Sequence, residues 1–153
     1  MDQIKVEFLK NDLAPRLKGL NANDAGKWGL MNAQQMTEHV ADFFKVSFEK
    51  VLFPLVTPEE HLPKFKAFLM SDKEFRENTK APVLPEQPFP VRNACMQDAI
   101  NELQGDVISF FEYFEKDLSK KTIHPVFGEL DLTEWVQLHH KHVTHHFKQF
   151  GLI

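Results

Sequence analysis

The chain has 153 residues, 42% apolar and 26% charged, with 18 Lys and Arg against 22 Asp and Glu and a formal net charge of -4. That is about one domain's length, enough to bury a single core. The basic residues are scattered rather than gathered on one face, which sets nucleic acid aside as a partner, and the single cysteine, Cys95, forbids an intrachain disulfide.

The N-terminal MDQIKVEFLK mixes charged with apolar residues, unlike a signal or transit peptide. No window approaches the roughly 18 to 20 apolar residues of a membrane span. A cytoplasmic protein without membrane association is therefore expected.

Four stretches carry helical periodicity. In the first, residues 2–19, Ile4, Phe8, Leu13 and Leu17 recur at near-helical spacing, and Pro15 predicts a break or kink. A loop rich in Asn and Gly, LNANDAGKWG, follows it. The second helix opens at NAQQ, where Asn32 can accept from first-turn amides while Gln35 reaches back, a capping box. Met36, Val40, Phe43 or Phe44, Ser47, Val51 and Leu52 then carry it to Phe53, before Pro54. A short helix is expected at TPEE, with Thr57 as N-cap, Pro58 at the first helical position and Glu60 closing the box.

Residues 71–91 hold four prolines and read as an ordered excursion within the one domain, with Phe75, Val83, Leu84 and Phe89 available to pack. The third long helix is expected over 93–119, where Met96, Ile100, Leu103, Val107, Phe110, Phe111, Phe114 and Leu118 step by three or four. Cys95 near its start reads as a small buried apolar side chain. The fourth opens at DLTE, with Asp131 and Glu134 as a second capping box, and runs to Gln149 ahead of Gly151. Four long helices and no strand signal predict an all-α four-helix bundle, with extra structure over 54–91 and 120–130.

Five of the eight histidines lie between His139 and His146. On a helical wheel of about 100° per residue, Trp135, Leu138, His139, His142, His146 and Gln149 share one stripe. His145 falls at its edge, and His140 and Lys141 point away. Trp135 and Leu138 belong in the core, so His142 and His146 face it too. At i and i+4 they stand one turn apart, the spacing by which a helix offers two nitrogens to one ion. His39, among Met36, Val40 and Phe43 on the second helix, is the candidate third ligand. A buried neutral histidine must satisfy both ring nitrogens, and a metal is one way; an ordinary hydrogen-bonded core histidine, or for the cluster a solvated polar face, is the other. A bundle di-iron site is excluded, because no histidine has a glutamate three residues before it. HExxH is also absent.

The segments WGLMNAQQMTEHV (28–40) and FGELDLTEWVQLHHKHVTHHFKQFGL (127–152) resemble the DinB and YfiT-like superfamily, in particular a small bacterial subfamily of unknown function with WGxMxxQQMxEH and HxxHHxxQFGL motifs. The resemblance implies a four-helix bundle of up-down-down-up connection, a homodimer, and a zinc or nickel ion held by His39, His142 and His146. It also implies chemistry with a low-molecular-weight thiol cosubstrate such as bacillithiol or mycothiol, and hence a thiol-dependent S-transferase or a hydrolase.

A three-histidine site leaves the ion positive with an open position, where a bound water or thiol becomes the nucleophile. Gln35 and Asp42, one turn either side of His39, and Gln149, three residues after His146, are candidates to accept the imidazoles' outer N–H or to orient a small electrophilic substrate. Gln35 as a simple cap and Asp42 as a solvated charge are the plainer readings. Trp28, Trp135 and the phenylalanines would line a pocket or simply fill the core. The alternative to an enzyme is a non-catalytic metal-binding or ligand-sensing bundle, its metal closed by a fourth protein ligand, for which His139 and His145 are available.

Overall fold

The computed structural model describes residues 1–153. The chain is mostly helical, with five helices and one small two-stranded sheet. No helix is long and apolar enough to cross a membrane.

Helix α1 is a continuous run of Gln3–Glu7, a π-helical turn Phe8–Asp12 and Leu13–Leu17, capped by the Asp2 side chain on the Ile4 and Lys5 amides. Pro15 does not break it. The irregularity sits one turn earlier, where the Leu13 N–H reaches back to Phe8 rather than to Leu9. Pro15 can offer no N–H to the carbonyl four residues before it, and the widened turn lies where that ladder is interrupted.

Helix α2 spans Ala33–Ser47 with both halves of the Asn32/Gln35 capping box formed. It stops two turns short of the Phe53 expected from periodicity. Ser47 Oγ donates to the Phe44 carbonyl, the Lys45 carbonyl accepts from both Lys50 and Val51, and Glu49 takes a left-handed φ of 64°. Leu52 is consequently 77% exposed rather than a core position.

Helix α3, Leu62–Met70, follows a single 3-10 turn at Glu59–His61. Thr57 does not cap it; its hydroxyl donates instead to the Val126 carbonyl. Helix α4 is Met96–Glu115, shorter at both ends than the expected 93–119. Leu118 lies beyond its end at 70% exposure, and Cys95 occupies the N-cap exposed to solvent rather than buried.

The strictly all-α expectation fails just after α4. Strands β1 (Thr122–His124) and β2 (Gly128–Leu130) pair antiparallel, each burying its first and third residues and exposing the middle one. Strands of three residues are too short for alternation to stand out in a sequence. Helix α5, Leu132–Gln149, opens on a fully formed Asp131/Glu134 box.

The core gathers one stripe from each long helix: Leu9, Leu13 and Leu17; Met36, Val40 and Phe44; Leu103, Phe110 and Phe114; Trp135, Leu138 and Phe147. Each such side chain contributes about 1.5–3 kcal/mol by leaving water. Trp135 also finds a partner for its indole N–H, donating to Thr122 Oγ1, which in turn donates to the Ser47 carbonyl. That chain ties α5 to β1 and to the end of α2.

A charged cluster joins α2 to α4. Lys45 pairs with Glu102 at 2.7 Å and with Asp106, both from α4. Arg92 bridges Asp42 and Glu102, while Glu38 accepts from the Arg92 and Asn93 amides. The end of the Pro-rich excursion is thereby held against α2. Its start is held by Lys141 of α5, which does not point away as expected: it is buried and donates to the Ser71 and Lys73 carbonyls.

Candidate functional site

Helix α2 brings His39, and α5 brings His142 and His146, to a common point. His142 Nε2 lies 3.0 Å from His39 Nε2 and 3.0 Å from His146 Nε2. All three donor atoms fall within 4.8 Å of one another. The i, i+4 spacing on α5 sets the second of these distances, and the crossing of α2 over α5 sets the first. His142 and His146 are buried, and His39 is half-buried at the outer side.

The rings are fixed by their neighbours. Phe43 stacks on His142, with centroids 4.2 Å apart and planes at 29°. His39 meets both His142 and His146 edge-on. His146 Nδ1–H donates to Gln149 Oε1 at 2.7 Å, so its Nε2 carries a lone pair towards the other two rings. Burial lowers all three imidazole pKa values, that of His39 from 6.5 to about 4 against an upward pull from Asp42. The trio is therefore neutral at neutral pH.

Three neutral imidazoles cannot satisfy one another. With His146 Nε2 an acceptor, a single proton on His142 Nε2 can serve only one neighbour at a time. A divalent cation among the three Nε2 atoms would take all three lone pairs. Nitrogens bound at about 2.0–2.1 Å in a tetrahedral shell lie roughly 3.3 Å apart, close to the two separations of 3.0 Å about His142, while the third pair lies within 4.8 Å. The donor set fits zinc or nickel, and imidazole nitrogen alone does not choose between them.

Of the residues expected to support the trio, Gln149 does so directly. Gln35 is consumed elsewhere, its Oε1 accepting from the Asn32 amide and its Nε2 donating to the Phe89 carbonyl. Asp42 turns to the Arg92 guanidinium, 2.9 Å away, and reaches His39 only through its charge.

Neither candidate for a closing fourth ligand joins the group. His139 Nε2–H donates to Ser47 Oγ at 3.0 Å, and its ring lies flat on Phe44 with Trp135 on the other side. It is a core histidine, held neutral by burial. His145 stands outside, edge-on to His146 at 5.1 Å and to Trp28 at 5.5 Å. There it helps to line a cavity of about 350 Å³ with Lys27, Trp28, Glu74, Phe75 and Lys148. The cavity borders the trio through His145 without containing it. His140, expected to face away, packs edge-on against Phe8 of α1 and is not part of the group.

Two supporting residues escape sequence reasoning. Phe43 is ambiguous with Phe44 on periodicity alone, and only the packing assigns Phe43 to His142 and Phe44 to His139. His124 backs Phe43 at 5.3 Å, its Nδ1 accepting from the Val126 and Phe127 amides. No local pattern marks it, because its partners belong to the turn of the hairpin.

No curated protein and no solved structure matches the chain. The family model described as "Protein of unknown function (DUF1569)" matches residues 11–151, a span that includes the trio and nearly all of both motif segments. This corrects the resemblance to the DinB and YfiT-like superfamily, from which that family is distinct. A lone histidine on one helix and an HxxxH pair on another are what any single ion between two helices requires, so separate families can share the pattern. The thiol cosubstrate and the homodimer, implied by that resemblance alone, lose their support with it, whereas His39, His142 and His146 were also selected by the wheel. With residues 11–151 matched, the chain belongs to the DUF1569 family.

Proposed function

We propose that this protein is a metal-dependent enzyme acting on a small molecule, with one divalent transition metal ion, zinc or nickel, held by Nε2 of His39, His142 and His146. The observation that carries the reading is the convergence of three neutral ring nitrogens on one point, 3.0 Å apart pairwise through His142. A divalent ion there supplies Lewis acidity, polarising a substrate oxygen and lowering the pKa of a group that binds it. Hydrolysis of a small electrophilic substrate is the simplest use of such a centre.

The chain's own residues do the rest. His142 and His146 offer their lone pairs from one rigid helix, His39 closes the third corner from another, and Phe43 and Gln149 hold two of the rings in place. Catalytic sites keep an open coordination position, and structural ones close it with a fourth protein ligand. Here the grouping stops at three, with His139 committed to Ser47, which favours the catalytic reading over a non-catalytic metal-binding bundle. A cavity of about 350 Å³ alongside suits a small ligand. As the scaffold we read α1, α2, α4 and α5 as a four-helix bundle, with α2 and α4 packed along their lengths and α1 touching both α4 and α5.

The test is elemental analysis of tag-free protein after incubation with zinc or nickel, beside the His39, His142 and His146 alanine variants. About one ion per chain, lost in each variant, is expected. Wild-type protein that binds no ion removes the proposed chemistry.

A further inference from the structure

The glycines of the G-K-W-G turn at residues 26–29 do something that loop flexibility does not explain. Gly26 and Gly29 lie against the side chain of Gln149, such that a Cβ on Gly26 would come 2.9 Å from Gln149 Cγ and a Cβ on Gly29 would come 2.8 Å from Gln149 Nε2. Gly29 also has a φ of +80°, which a side chain would strain. The approach is anchored by the Lys27 N–H, which donates to the Gln149 backbone carbonyl at 2.7 Å, one of the acceptors left free at the end of α5.

The contact decides which way the Gln149 amide points. The Trp28 carbonyl, 2.9 Å from Gln149 Nε2, can only accept, so the amide must present its NH2 there. Its oxygen is then left for His146 Nδ1, 2.7 Å away. An oxygen can only accept, so the proton of neutral His146 goes to Nδ1 and the lone pair to Nε2, the atom 3.0 Å from His142 Nε2.

We infer that the 26–29 turn sets the tautomer of His146: through the Gln149 amide it makes Nε2 of His146 a ready ligand before any ion arrives. Trp28 and Gln149 are positioning residues in this relay, not ligands. The inference rests on the proposed metal centre for its purpose, but the tautomer itself is a property of the metal-free protein.

The experiment is long-range proton–nitrogen NMR on metal-free, histidine-15N protein at mildly alkaline pH, with zinc affinity measured in parallel by competition with a chelating dye. Wild-type His146 is expected as the Nδ1–H form. Gln149→Leu should move it to the Nε2–H form that histidine prefers in water and weaken zinc binding roughly 10- to 100-fold. Gly29→Ala and Gly26→Ala should do the same in part with Gln149 intact. Gln149→Glu, which loses the donor to the Trp28 carbonyl but keeps an acceptor for the Nδ1–H, should retain the tautomer.

A wild-type His146 found in the Nε2–H form overturns the inference. So do folded glycine variants with unchanged tautomer and unchanged affinity; if neither glycine variant gives a cooperative thermal melt, Gln149→Leu decides alone. Wild-type protein with the expected tautomer but no zinc uptake sinks the metal reading and leaves the relay standing. Normal zinc uptake with a tautomer indifferent to Gln149→Leu does the reverse.

Discussion

Phe43 lies on the face of His142 with ring centroids 4.2 Å apart, and it also packs against His124 at 5.3 Å and His139 at 5.5 Å. One phenyl ring thus joins the candidate ligand to the hairpin and to the core histidine. His142 has no hydrogen bond at Nδ1 to orient it, so stacking takes that role. Phe43→Ala is expected to weaken zinc binding about tenfold, in the range seen when support behind a ligand is removed, with Phe43→Leu milder. Isothermal titration of both variants measures it, and an unchanged affinity in the alanine variant would show that His142 is held by the helix alone.

The clustered histidines of α5 separate by what they touch. His139→Ala is expected to keep a full equivalent of zinc while losing about 2–4 kcal/mol of stability, because it leaves a hole between Phe44 and Trp135. His140→Ala should keep the zinc equivalent too, since it packs on Phe8. Metal content with a urea melt distinguishes these from His142→Ala; loss of metal in His139→Ala without a change in fold would place that ring in the site.

Stability should fall in mild acid. Burial depresses the pKa of His39 from 6.5 to about 4 and that of His124 from 6.5 to about 3. In each case the unfolded chain takes up its proton first as pH falls, so the contribution is fully present above about 6.5 and is lost progressively down towards the folded values. His139, His142 and His146 shift in the same direction. Urea midpoints at about pH 7.5 and about pH 5 test this, the lower pH giving the lower midpoint. A midpoint unchanged between them would mean the histidines are solvated.

Lys45 and Asp106 form the most enclosed ion pair, with side chains 11% and 8% exposed. Burial pushes the Asp106 pKa up and Lys45 pulls it back, while contacts with Arg92 and Lys45 carry Glu102 down to about 2 against the upward push of burial. Lys45→Ala should therefore cost about 3–5 kcal/mol by stranding carboxylates, and a Lys45→Met, Asp106→Leu double variant should recover a large part of it. Chemical denaturation of the cycle decides; a double variant no more stable than Lys45→Ala would assign the pair an essential packing role.

Local contacts made much of this protein readable from its sequence. Asn32 with Gln35, and Asp131 with Glu134, are partners three residues apart, so both capping boxes form as expected. His142 and His146 share a face because four residues make about one helical turn, and His39 joins them because it rides the apolar side of α2. These features need only helix geometry and one apolar stripe per helix.

Tertiary structure decided the rest. Nothing local distinguishes Gln149, which serves His146, from Gln35, which is spent on its own cap and on Phe89. Asp42 goes to Arg92 fifty residues away, Lys141 turns inward to carbonyls at the start of the excursion, and His139 is buried between rings from two helices. The hairpin holding His124 is too short to leave a pattern, and the glycines at 26 and 29 have meaning only against Gln149. A side chain's partner within one turn is set by backbone geometry, whereas its partner across the fold depends on which distant surfaces meet, and on competition among several groups that could satisfy the same buried donor or acceptor.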